Sequence, residues 1–209
     1  MGIALILGGI GTRASHMRVA MKTYERLGFA PVFMPAPFPS AKMYILNAYE
    51  KRAKELSRPI ESSPYLIHAV SGAAWTAAAI HRHVPATGVI FEAAPLTTST
   101  ENLRQTISKT SNLPLIPKKV MVATMRTLGI PCDEDGAQYK LWEHTFLSDL
   151  STVPTMALVN SNDPFLSVEY VDSIVDRVCW FDSNKHVPVC TDATEMKYTT
   201  EIGNFVHTL

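Results

Sequence analysis

Three side chains of the 209-residue sequence have the types needed for nucleophilic acyl chemistry, and each lies in a segment that directly follows an apolar run. Ser71 stands in Ala69-Val70-Ser71-Gly72-Ala73, Asp163 in Asn160-Ser161-Asn162-Asp163-Pro164, and His186 in Asp182-Ser183-Asn184-Lys185-His186-Val187. A serine between a strand and a helix with no loop must sit on a sharp turn, so its neighbours two positions away must be small. Ala69 and Ala73 meet that need, and the backbone N–H of Gly72 would face a developing oxyanion. Each residue alone has a plainer role: Ser71 as a helix cap, Asp163 as a turn residue leading a helix, His186 as a solvated loop side chain. Together they supply a nucleophile, an orienting carboxylate and a general base. Asp182 is a competing acid, but it lies only four residues before His186 and fits better as a loop cap.

Those residues need a scaffold that brings three distant segments to one edge. Short β-branched runs over residues 3–7, 31–34, 65–70, 88–92, 155–160 and 179–181 alternate with amphipathic segments. Helices are expected over 15–27 (stopped at Gly28), 41–56, 72–83, 168–178 and 193–207. This alternation predicts an α/β fold, a doubly wound, mainly parallel sheet of about six strands with both faces covered. Residues at the C-terminal strand ends then converge. The stretch from 96 to 150 is more polar and shows no strand in step with the rest, which predicts a mostly helical excursion. The expected organisation is a core of residues 1–95 and 151–209 with an insertion at 96–150.

On these residues the chain resembles the α/β-hydrolase superfamily over nearly its whole length. The order Ser71, Asp163, His186 is that family's order. The resemblance implies that Gly8-Gly9-Ile10-Gly11 stands where the family has His-Gly-X-Gly, which would make the Ile10 N–H the second oxyanion donor beside Gly72. It implies that the 96–150 excursion is a lid, and that the first two strands of the full fold are missing. Leu113, Leu115, Ile116, Met121, Met125, Leu128, Trp142 and Phe146 could line an apolar acyl pocket or simply pack the lid onto the body. Gly9, His16 and Trp142 are the candidate substrate contacts. The strand-first start and His68-x-x-Ser71 are also similar to a short PaxU-like branch. The implied activity is hydrolysis of a carboxylic ester or thioester, with a small apolar acyl compound as partner and no cofactor.

Two other readings are open. Gly8-Gly9-Ile10-Gly11-Thr12-Arg13 matches the glycine-rich start of sugar-nucleotide nucleotidyltransferases, where glycines admit phosphate and Arg13 would neutralise charge. No Pro-Lys follows at the right distance, Lys22 comes after Met21, and no convincing Asp-x-Asp metal pair follows a mid-chain strand. A hydrolase fold that binds without catalysing is the third reading. Composition narrows the field. Lys plus Arg number 19 against 19 Asp plus Glu, which argues against a basic field gripping nucleic acid. Hydrophobic residues at 46% and charged residues at 18% argue against disorder. No apolar run reaches the roughly 20 residues of a membrane span, and no secretory leader is evident, so a cytoplasmic protein is expected. Cys132, Cys179 and Cys190 are scattered without metal-ligand spacing, so no metal is expected. His81 and His83 read as a solvated helix end, and Trp75 as core.

Overall fold

Six of the apolar runs form parallel strands in one sheet. A computed structural model of the chain describes residues 2–9, 12–35, 64–94, 104, 108, 114–127, 148–163, 171–182 and 186–209. The strands are β1 (Gly2–Leu7), β2 (Phe29–Met34), β3 (Tyr65–Val70), β4 (Gly88–Glu92), β5 (Thr155–Asn160) and β6 (Arg177–Phe181). Their order is β2-β1-β3-β4-β5-β6, and every pairing is parallel. The described helices are α1 (Arg18–Arg26), α2 (Ala74–His83), α3 (Lys118–Thr127) and α4 (Glu195–Val206). The helix expected over 41–56 lies outside the described residues.

The strand order decides which helix covers which face. From β1 the chain crosses to one side to reach β2, and from β3 to the other side to reach β4. Crossovers of one hand running in opposite directions must put their helices on opposite faces. Accordingly Met17, Ala20 and Tyr24 of the α1 segment pack with Ala4, Ile6, Leu66 and Val70. Ala77, Ala78 and Ile80 of α2 pack with Leu5, Leu7, Ile67 and Ala69 on the other side. The final helix joins α1 on its face through Tyr198, Ile202 and Phe205. With both faces covered, all six residues of β3 and of β5 are buried, which is why those runs lack polar alternation. β2 is an edge, where Pro31, having no N–H to donate, is tolerated. Gly28 ends the α1 segment at φ +82°, a conformation side chains with a Cβ resist.

Two sequence expectations need correction, at residues 168–178 and at His81. Residues 168–178 are not one helix: Val171–Ser173 is a single 3₁₀ turn and β6 already begins at Arg177. The Asp176 carboxylate accepts from both the N–H and the hydroxyl of Thr155, whose Oγ1 accepts the Asp176 N–H in turn. Those reciprocal bonds pin the turn to the start of β5 and leave no room for helix to continue. In the 96–150 stretch, α3 is helical as expected, but Met121 and Val122 belong to the body's own core, with Ile116 packed against it. Leu115 is exposed. Leu113, Leu128, Trp142 and Phe146 lie outside the described residues, as do the side chains of Met125 and Trp75.

His81 is not a solvated helix end either. It is buried in the last turn of α2, where its Nδ1 accepts the Ala86 N–H at 3.0 Å. Its Nε2 lies 3.2 Å from the Thr152 hydroxyl, which itself donates to the Asp149 carbonyl. The ring therefore carries its one proton on Nε2 and joins the end of α2 to the turn that leads into β5. Burial lowers its pKa from the ordinary 6.5, with Asp149 opposing in part. The unfolded chain then takes up a proton from about pH 6.5 downward before the folded one does, so this stability is full above that pH and lost as pH falls. Melting temperature is expected to drop from pH 7.5 to 5.5, by less in His81→Gln. Equal drops in the two proteins would exclude His81 as the cause.

Candidate active site

The sheet's strand order reverses between β1 and β3, and two of its exits meet there. Ser71 follows β3 without a loop. Val70 is extended (φ −105°), Ser71 has φ +53°, and Ser71–Ala73 then forms the 3₁₀ turn that opens α2. A left-handed serine costs about 1–2 kcal/mol relative to ordinary backbone, a strain found where a side chain must be held at a fixed angle. The alanines at 69 and 73 fit: both are buried and pack into the α2-side core. The close approach that glycines would usually provide comes from the neighbouring strand. Leu7 pairs with Ala69, which brings Gly9 alongside Ser71. A Cβ on Gly9 would stand 2.7 Å from the Val70 carbonyl oxygen and 2.8 Å from Ser71 Cβ.

The other two sequence-selected residues converge on the same point. Ser71 Oγ lies 2.9 Å from His186 Nε2, and His186 Nδ1 lies 2.7 Å from Asp163 Oδ2. The consistent assignment has the Ser71 hydroxyl donating to Nε2 and the Nδ1–H donating to the carboxylate. The Asp163 side chain is fully buried, while the His186 side chain is 20% exposed, so the serine end of the chain opens to solvent. Asp163 is set by a turn in which its N–H bonds the Asn160 carbonyl directly after β5. Asp182, the competing acid, instead accepts from the Asn162 side-chain amide and ties the β5 and β6 exits together.

The remaining candidates are placed as follows. Gly72 is in the first turn of the helix, where backbone N–H groups have no intrahelical acceptor. A Cβ built on it meets nothing within 4 Å, so the space above its backbone is open. Ile10 lies outside the described residues, between Gly9 and Thr12, whose N–H bonds the Gly9 carbonyl at 3.1 Å. His16 is exposed in the turn before α1, where its Nδ1 accepts the Arg13 N–H. Gly8 and Gly9 are both accounted for by packing, Gly8 against the Phe33 ring and Gly9 against the serine turn. A bound phosphate is not needed to explain them. The described thiols are poor rivals to Ser71: burial pushes Cys179 up to about 11 and Cys190 up to about 12. Among the described residues no group of His, Cys, Asp and Glu could hold a metal ion.

Sequence reasoning missed a buried polar cluster beneath this site. His68, Glu92, Tyr24 and Tyr198 are fully buried and hydrogen-bonded to one another. A histidine and a glutamate inside otherwise apolar strands were the available signal.

No family model and no curated relative matches the sequence. The likeness is structural. A Xanthomonas campestris protein assigned to the α/β-hydrolase superfamily superposes with a TM-score of 0.61 at 13% identity, over 100% of this chain and 99% of that one. Est1E from Butyrivibrio proteoclasticus gives 0.65 at 12% identity, over 99% and 87%. The RedJ thioesterase of the prodiginine pathway in Streptomyces coelicolor gives 0.55 at 14% identity, over 98% and 90%. The chain has the α/β-hydrolase fold. No helix among the described residues is long and apolar enough to cross a membrane.

The packing around the serine turn yields a stability test. Gly9→Ala should cost about 1–3 kcal/mol in urea unfolding, because backbone must move to admit the methyl. Gly72→Ala, with open space above it, should stay within about 0.5 kcal/mol of the parent. Equal costs at the two positions would contradict the contact geometry.

Proposed function

We propose that the chain is a serine hydrolase of carboxylic esters or thioesters, with Ser71 as nucleophile, His186 as general base and Asp163 as the group that orients it. The observation that carries this reading is the continuous hydrogen-bond chain Ser71–His186–Asp163, anchored on a serine held at φ +53°. Similarity to a protein named lipase-esterase related and to one named a thioesterase supports the reaction class.

In the first step His186 Nε2 takes the Ser71 proton as Oγ attacks the carbonyl carbon. The imidazolium formed is stabilised by the Asp163 carboxylate, which keeps its own charge. The oxyanion is received by the Gly72 N–H, with the Ile10 N–H as the second donor that the family resemblance implies. Such donors are worth about 3 kcal/mol of barrier each. Collapse expels the alcohol or thiol, which takes the proton from His186 and leaves an acyl-serine. Water, deprotonated by the same imidazole, then releases the acid. Residues 96–150 would form a lid over an apolar acyl pocket, with Trp142 as a candidate wall and His16 at the rim. The His68-x-x-Ser71 spacing supports a place near the short PaxU-like branch.

Ser71→Ala should lower hydrolysis of p-nitrophenyl acetate by at least about a thousandfold while far-ultraviolet circular dichroism stays unchanged. Asp163→Asn should give a comparable loss, since the amide no longer fixes the imidazole tautomer. A fluorophosphonate probe should label the parent at Ser71 and leave Ser71→Ala unlabelled. Undiminished turnover in the alanine variant would end the proposal.

A further inference from the structure

Glu92 is the last residue of β4, fully buried, and followed by Ala93 at φ +48°. A carboxylate so placed needs partners for its lone pairs, and it has three. Its Oε2 accepts from His68 Nε2 at 3.0 Å and from the Tyr198 hydroxyl at 2.5 Å. Its Oε1 accepts the backbone N–H of Val189 at 2.9 Å. On the far side of the imidazole, the Tyr24 hydroxyl lies 2.9 Å from His68 Nδ1. Every polar atom is matched when Tyr24 donates to Nδ1 and the ring proton sits on Nε2, facing the carboxylate. Burial alone would raise the Glu92 pKa, but the bonds from His68, Tyr198 and Val189 outweigh it and hold the group below its ordinary value. Three donors and no acceptor among the described residues face it, as a carboxylate requires.

The partners come from elements that the reaction must hold together. His68 is three residues before Ser71 on the same strand. Val189 is three residues after His186 and itself fully buried. One carboxylate thus grips the strand that ends in the nucleophile and the loop that carries the base. We infer that Glu92 is a positioning residue which, through the Val189 N–H, sets the distance between Ser71 and His186. It touches neither the reacting atoms nor the Asp163–His186 bond. This inference rests on the proposed hydrolase reading for its effect on turnover, but its structural core can be measured without it.

Two mild substitutions separate reach from charge. Glu92→Gln keeps an oxygen where Oε1 accepts from Val189. Its NH₂ can donate to His68 Nε2 and to the Tyr198 oxygen once the imidazole proton moves to Nδ1 and donates to Tyr24. Glu92→Asp keeps the charge but is shorter by one C–C bond, about 1.5 Å. It cannot hold Val189 while two bonds tether it to His68 and Tyr198. A purely electrostatic role would favour aspartate over glutamine, whereas anchoring of the loop predicts the reverse; a purely packing role would lower the melting temperature of Glu92→Asp while leaving Val189 exchange and the His186 proton as in the parent.

The experiment measures kcat and KM for p-nitrophenyl acetate in the parent and both variants, with a thermal melt to show that each is folded. Amide exchange at Val189 and the downfield Nδ1–H proton of His186 are read by NMR. Glu92→Gln is expected to keep kcat within about threefold and to retain the His186 proton. Glu92→Asp is expected to lose on the order of a hundredfold in kcat with little change in KM, because a small misplacement of the base is enough. It should also show faster exchange at Val189 and a broadened or absent His186 proton. An aspartate variant equal to or better than the glutamine variant in kcat and in Val189 exchange would overturn the inference. A parent that neither turns over the ester nor takes up a fluorophosphonate at Ser71 would overturn the hydrolase reading instead. Val189 exchange and the His186 proton would then decide the anchoring alone.

Discussion

The left-handed turn at Ser71 is the constraint around which the rest of the molecule is arranged. No residue intervenes between β3 and the first turn of the helix, so the chain must reverse at a single position. That reversal brings the Val70 carbonyl and Ser71 Cβ against the next exit of the sheet, and only a glycine at position 9 leaves room for it. Because the strand order reverses between β1 and β3, these two exits lie side by side. The strain is local and about 1–2 kcal/mol, small against the burial of a β3 strand whose six residues are all inside. The core can hold the turn because α2 docks on the sheet through alanines, which let helix and strand approach closely at the bend.

Much of this was legible in the sequence because strand burial and turn chemistry leave local marks. β3, β4 and β5 have the expected limits, since each is a short apolar run that a Gly opens or a Pro precedes. The three members of the candidate site were singled out by position, each just past such a run. The segment at 168–178 departs from the expected helix for a tertiary reason. Its apolar spacing suits a helix, but the Asp176–Thr155 bonds that stop it join residues 21 apart, and no local pattern records them. His81 departs from the expected solvated helix end for the same reason: its partner Thr152 is 71 residues away. Gly9 marks a close approach of backbone, and the group that approaches it is the serine turn, which the local sequence does not identify.

The buried charge shows the limit most clearly. Composition reports Glu92 as one acid among many, and a buried carboxylate inside an apolar sheet is costly unless fully bonded. Its bonds reach partners 24, 97 and 106 residues away, from strand, loop and helix. Replacing such a cluster by apolar side chains of similar volume is often neutral or stabilising, so stability alone gives little reason to keep it. What an apolar cluster cannot do is direct a backbone N–H. The Val189 N–H has a defined acceptor, and with it the loop that follows β6 has a defined height above the sheet. Hydrophobic contacts would hold that loop down but let it slide. A directional bond fixes the register between Ser71 and His186, and in the proposed reaction proton transfer across 2.9 Å would depend on that register.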